Sequence, residues 1–196
     1  SDIGFGNQET MSTEQYITEW TNRLEAAKPF GIELGTHYNG HFCGKNGGNT
    51  WSAAEWKSEV DQFKSLAANA TANNAFATQI PDVFRNQPLV GGRTPCLEGK
   101  LNDVLYPVLA EAGLTYDTSC SGTIDQWPSK INGIWCFPLK NIPISGTKKS
   151  NLSMDYNFYV SLAKAKEVSP DRAKEIEDAV YQTYRDYFEH NFNGTR

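Results

Sequence analysis

Apolar residues recur at helical spacing through Tyr16, Ile17, Trp20, Leu24 and Ala27, which predicts an amphipathic helix. Ser12 followed by Gln15 forms a capping box at its start, and Pro29 and Gly31 stop it beyond Lys28. Gly31 to Gly35 then reads as a short strand that delivers Thr36-His37 at its C-terminal end. A second capping box, Ser52 with Glu55, opens a helix whose buried face is Trp56, Val60, Phe63 and Ala67. Segment 69–88 is rich in Ala and Asn with weak patterning, which predicts a helix tail and loop. Leu89 to Arg93 is the next strand, and Asn102 caps a helix through Ala112 that ends at Gly113 and tolerates Pro107 early. Leu114 to Thr118 and Gly133 to Leu139 are two further strands. Ser153 opens another helix, and Ser169 with Pro170 opens the clearest one, burying Ala173, Ile176, Val180, Tyr184 and Phe188. Strands alternating with helices imply an α/β architecture with parallel strands.

Composition narrows the class. At 196 residues the chain is long enough for one domain with a sizeable core. No apolar run reaches the roughly 18 residues of a membrane span, so no span is expected. A net charge of −5 without a Lys/Arg stripe argues against a nucleic-acid partner. Aromatic residues make up 12% of a chain whose mean hydropathy is −0.55; such rings suit a sugar-stacking cleft or ordinary core packing.

Cys43, Cys96, Cys120 and Cys136 include no CxxC pair, which excludes tight zinc ribbons and thioredoxin-like redox motifs. Two disulfides in an oxidising compartment fit this pattern, and four cysteines allow three connectivities. Sequons at Asn69, Asn151 and Asn193 agree with a secreted, extracellular protein. Residues 1–10 hold neither a basic nor an apolar leader region, so the chain is expected to start after any signal peptide or to be a fragment.

The sharpest chemistry is Thr36-His37-Tyr38-Asn39-Gly40-His41. Four-residue spacing lets two imidazoles converge on one divalent ion if the segment makes a helical turn; the alternative is a pair of polar loop histidines without a metal. Tyr38 stands where the zincin motif has its Glu, so that base is missing. The second feature is Gly92-Arg93-Thr94-Pro95-Cys96, an arginine at the end of a strand. Strand ends face the active site in parallel α/β folds, where a guanidinium can hold a carboxylate by a bidentate pair or close the fold by an ion pair.

The order Thr36-His37-x-x-x-His41, Gly92-Arg93-x-Pro95, a helix ending in Ala-Gly, then Leu-Thr-Tyr-Asp117-Thr-Ser resembles the polysaccharide deacetylase family, the NodB-homology domain of carbohydrate esterase family four. The stretches GTHYNGHFCG, TWSAAEWKSEV, RTPCLEG, YDTS and LSMDYNFY are similar to a secreted bacterial branch of it. The resemblance implies a distorted (β/α) barrel over residues 1–196 that holds a divalent metal, most often zinc. Family ligands are an Asp and two His, which match His37 and His41. An Arg-x-Pro motif, matching Arg93 and Pro95, orients a second Asp that acts as base, and a late His acts as acid. Cys43–Cys96 would tie the loop after His41 to the loop after Arg93, so this pairing is preferred, with Cys120–Cys136 as the other bridge.

Departures from the family pattern shape the expectation. Asp2, Glu9, Glu14, Glu19, Glu25 and Glu33 precede the histidine pair, and none follows an apolar strand in the required way. The barrel is therefore expected to lack its first catalytic strand and its C-terminal strands. The rest of a parent polypeptide or a partner chain would then complete the site. His190 fits the C-terminus of a helix and not the acid. Asp155 could line the cleft or sit in a helix's first turn, and Asp117 could shape a strand end. Tyr38, Trp127 and Trp135 are candidate sugar platforms, with core packing the alternative for Trp135. The expected function is metal-dependent removal of acetyl groups from an N- or O-acetylated polysaccharide. The alternative is a non-catalytic carbohydrate- or cell-surface-binding protein that retains the fold.

Overall fold

A computed structural model describes residues 11–83, 88–164 and 166–192. These form a mixed α/β structure that divides into two compact units. One comprises the described residues up to Thr118 together with Lys130–Trp135; the other comprises Ser119–Ser129 and the chain from Cys136 onward.

In the first unit, helix α1 (Thr13–Ala27) carries the expected capping box between Ser12 and Gln15. It buries none of its residues fully, and Trp20 is exposed. Helix α2 (Ala53–Ala68) starts from the reciprocal Ser52–Glu55 box and buries Trp56, Glu59 and Val60. A short helix α3 (Ala70–Asn73) follows. A π-type turn, Leu101–Leu105, leads into α4 (Tyr106–Glu111), and Gly113 at φ 83° ends that segment. Leu105, Tyr106 and Leu109 are fully buried, and α4 packs on α2. Removing a buried ring such as that of Trp56 costs about 3–5 kcal/mol in comparable cores.

Four short strands form this unit's sheet in the order β1 (Gly91–Gly92), β2 (Tyr116–Asp117), β5 (Ile134–Cys136), β4 (Ser129–Ile131). β1 and β2 are parallel, pairing Gly92 with Asp117. β4 and β5 are joined by Asn132-Gly133, both with positive φ (49° and 86°), the geometry of a two-residue hairpin turn. The expected strand over Gly31–Gly35 is reduced to a single parallel bridge between Thr36 and Gly92.

In the second unit, β3 (Ser121–Thr123) runs parallel to β6 (Leu139–Pro143), which runs antiparallel to β7 (Ser150–Leu152). Helices α5 (Asp155–Ala163) and α6 (Pro170–Asn191) pack on this sheet. Ile142, Ile144 and Phe158 form its core, flanked by Ile124, Leu162, Val180 and Tyr187. Ser153 does not cap α5, because its Oγ accepts from Lys140 N at 3.1 Å. Ser169 does cap α6, accepting from Arg172 N. The inward side of α6 is rotated from the expected stripe: Thr183 is buried while Ala173 and Phe188 face solvent.

The parallel-strand expectation therefore holds for two strand pairs, and each sheet also contains an antiparallel pair. Among the described residues neither sheet closes into a barrel. No helix among them is long and apolar enough to cross a membrane.

Candidate functional site

The Thr36–Gly92 bridge places the histidine loop beside the arginine. Thr36 N donates to Gly91 O at 3.0 Å, and Arg93 N donates to Thr36 O at 2.9 Å. A Cβ on Gly92 would lie 2.8 Å from Thr36 O, so a larger residue would push the two segments apart. Each segment then leaves the bridge with its chemistry one residue further on, as His37 and as Arg93.

Extended backbone alternation buries Thr36 and Tyr38 and exposes His37 between them. Tyr38 adopts φ 63°, a left-handed conformation uncommon for a non-glycine residue, and the chain turns there. Asn39 is held to α2: its N donates to Glu59 Oε1 at 2.8 Å and its Nδ2 to the Glu59 carbonyl at 3.0 Å. The loop returns His41 until its ring centroid is 5.4 Å from that of His37. The convergence expected from a helical turn is made by an irregular loop, because the Glu59 carboxylate and not an intrahelical ladder takes the Asn39 N–H.

His37 Nδ1 lies 2.8 Å from the Arg93 carbonyl oxygen. A carbonyl only accepts, so Nδ1 carries a proton, and in the neutral ring Nε2 keeps its lone pair. Histidine ligands to metals are usually oriented in this way by a hydrogen bond to their other nitrogen. His41 Nδ1 faces Cys43 Sγ at 3.5 Å, which leaves its Nε2 open as well. Two imidazoles on one tetrahedral zinc, with Zn–N near 2.0–2.1 Å, set their centroids about 5 Å apart. The observed separation fits a shared divalent ion, and both rings are exposed.

No family model matches this chain, and no curated protein matches it.

Arg93 is half-buried, and its Nε donates to Thr118 Oγ1 at 2.9 Å, which aims the guanidinium from the parallel neighbouring segment. Among the described residues no carboxylate pairs with it. Thr94 and Pro95 are buried behind it, so Pro95 shapes the turn and presents no open face.

Of the three connectivities, the structure holds Cys43–Cys96 and Cys120–Cys136. Cys43–Cys96 spans 53 residues and joins the segments that follow His41 and Arg93. Glu98 and Asn49 reinforce it: Gly44 N donates to Glu98 Oε1 at 2.9 Å, and Gly99 N donates to Asn49 Oδ1 at 2.9 Å. The ligand-sized group among the described residues is His41, Cys43 and Cys96, within 4.8 Å of one another. Because the two sulfurs are bonded together, they carry no thiolate charge, and the imidazoles are the donors available in this state. No Asp or Glu among the described residues joins the histidines in such a group; Asp2 and Glu9 lie outside the described residues.

Tyr38 lies inside the unit and not on its surface. Its ring packs edge-on against Trp56, centroids 5.3 Å apart. Burial pushes its hydroxyl pKa far up, and the nearby Asp117, Glu59 and Tyr106 add to that. Tyr106 is raised by burial too, then by Asp117, to which its hydroxyl donates at 3.3 Å. Phe42, which follows His41 in the chain, is exposed, and its ring centroid lies 6.1 Å from that of the half-buried Trp51. A Cβ on Gly40 would strike the Phe42 ring at 2.4 Å, so that ring packs directly against the loop between the histidines.

Trp127, Asp155 and His190 belong to the second unit. Trp127 is exposed, and Asp155 is an exposed carboxylate in the first turn of α5 that accepts from Tyr156 N. His190 is in the last turn of α6, with Nε2 2.7 Å from Asp125 Oδ1. Trp135, within β5, is substantially exposed and does not belong to the core.

Sequence reading missed Glu59, Glu98 and Asn49. Glu59 had a detectable signal: Trp56, Glu59, Val60 and Phe63 share one helix face, so a carboxylate stands in an apolar stripe. Glu98 and Asn49 had none, because loop-to-loop pairing has no period.

Proposed function

We propose that this chain is the metal-binding part of a secreted hydrolase that removes acetyl groups from an N- or O-acetylated polysaccharide, with His37 and His41 as ligands for one divalent ion, for which zinc suits the nitrogen donors. The observation that carries the reading is the convergence of the two imidazoles, Nε2 atoms free, beside an arginine fixed by Thr118. A divalent ion bound there would supply Lewis acidity toward an acyl oxygen and toward water. The protein's own residues do the rest. The Arg93 carbonyl holds His37 in the ligating tautomer, and Glu59 fixes the loop that brings His41 back. The Arg93 guanidinium is positioned to orient a carboxylate base or to bind a developing oxyanion. Phe42 and Trp51 offer faces on which a pyranose ring can stack, and Trp127 offers another within the second unit.

A second reading is carbohydrate binding without hydrolysis. It is favoured by the lack of a carboxylate in the histidine group among the described residues. Two disulfides fit an extracellular setting for either. Acetate release from chitin oligomers, peptidoglycan and acetylxylan by the natural full-length polypeptide separates them. Release that disappears in His37→Ala and Arg93→Ala supports the hydrolase, and binding without release from any of the three supports the second reading.

A further inference from the structure

The Cys43–Cys96 disulfide adjoins a histidine whose nitrogen already sits at the spacing of a metal–ligand edge. His41 Nδ1 and Cys43 Sγ are 3.5 Å apart, and the Cys96 sulfur completes a group within 4.8 Å. In a tetrahedral zinc site, with Zn–N near 2.0–2.1 Å and Zn–S near 2.3 Å, a nitrogen–sulfur edge is about 3.6 Å and a sulfur–sulfur edge about 3.8 Å. One edge is therefore in place, and the second sulfur needs only to swing away from the first. The Cα atoms of the two cysteines are 5.9 Å apart, close enough for both sulfurs to reach one ion without backbone movement. His41 and Cys96 are exposed and Cys43 is half-buried, so both a reductant and an ion can enter.

We infer that reduction of Cys43–Cys96 unmasks a second, thiolate-rich metal site made of His41 Nδ1, Cys43 Sγ and Cys96 Sγ, selective for thiophilic divalent ions such as zinc. The disulfide takes up two electrons and two protons from a thiol reductant, which is oxidised to its own disulfide. The ion then displaces the two thiol protons to the solvent and binds two thiolates and one imidazole, with a solvent or solute molecule in the fourth position. His37 takes no part, since the ligand atoms within 4.8 Å of one another are those of His41, Cys43 and Cys96 alone among the described residues. In the oxidised chain the bridge keeps two soft ligands away from His41, so the same imidazole serves a nitrogen-only site in one redox state and a sulfur-rich one in the other. This holds whether or not the protein hydrolyses an acetylated sugar.

The test is titration of the intact chain with cobalt(II), before and after reduction by a phosphine that does not itself bind the metal strongly. The expected result is an intense near-ultraviolet thiolate-to-cobalt charge-transfer band, saturating at one equivalent and present only after reduction. It should persist in His37→Ala and in Cys120→Ser/Cys136→Ser, vanish in Cys43→Ser/Cys96→Ser, and need at least tenfold more cobalt to saturate in His41→Ala. Absence of the band after reduction overturns the inference, as does its survival in Cys43→Ser/Cys96→Ser. Should reduction unfold the chain, one equivalent of zinc is expected to restore its helical ellipticity, since metal binding and folding are coupled at such sites. Failure to restore it overturns the inference equally.

Discussion

The Nδ1 atom of His37 lies 2.8 Å from the backbone carbonyl of Arg93, 56 residues further along the chain. The contact fixes a tautomer through main-chain geometry, so it survives replacement of the Arg93 side chain. Nitrogen-15 spectra of the imidazoles are expected to show His37 as the Nδ1–H tautomer in both the native chain and Arg93→Ala. Zinc should then perturb the unprotonated Nε2. An Nε2–H tautomer would contradict the proposed ligation.

Glu59 holds the loop between the histidines by accepting the Asn39 N–H while almost entirely buried. A hydrogen bond to a charged group is worth about 1.5–3 kcal/mol, and its loss also leaves a donor unpaired. Glu59→Ala is expected to lower unfolding stability by about that amount in urea titrations and to weaken zinc binding. Glu59→Gln, which keeps an acceptor oxygen, should recover part of both. Equal stability of all three proteins would remove Glu59 from this role.

The two disulfides should contribute unequally. Chain-entropy arguments assign about 4 kcal/mol to a loop of 53 residues and about 3 kcal/mol to one of 16. Replacing Cys43 and Cys96 by serine should therefore destabilise the chain more than replacing Cys120 and Cys136. Guanidinium denaturation of the two double variants checks the order.

Tyr38, Tyr106 and Tyr116 have pKa values raised chiefly by burial, Tyr116 to about 12 with a contribution from Glu33. A raised folded-state pKa favours the folded state only while the unfolded tyrosine keeps its proton. The contribution is complete below about pH 10 and is lost as pH rises beyond it. Stability should fall above pH 10 with a slope of up to about 1.4 kcal/mol per pH unit for each tyrosine. In Tyr38→Phe that slope should be smaller by about one tyrosine's share. Stability near pH 7 should be equal or slightly higher, because the buried Tyr38 hydroxyl has no hydrogen-bond partner among the described residues. An unchanged alkaline slope would show that Tyr38 titrates normally.

Helices were more legible in the sequence than strands. The capping boxes at Ser12 and Ser52 and the Ser169-Pro170 start mark helices that form where those signals place them. Ser121–Thr123, Ser129–Ile131 and Ser150–Leu152 carry no signal, since three polar-rich residues cannot display a period. Burial was harder still: the α6 pattern suggested an inward Phe188, yet the sheet in that unit meets the side bearing Thr183. His37, His41 and Arg93 were legible as residues because their types are rare and chemically loaded, and the spacing of the two histidines already allowed them to converge. The route was not legible, since it runs through an irregular loop that depends on Gly92, on the left-handed Tyr38 and on a glutamate from α2.

Zinc binding measured on the oxidised protein tests the central claim most directly. Equilibrium dialysis followed by metal analysis should give one zinc per chain in the native protein, with retention lost in His37→Ala and in His41→Ala while far-ultraviolet circular dichroism stays unchanged. Zinc that fails to bind, or that binds undiminished in His37→Ala, would contradict the assignment of the histidine pair.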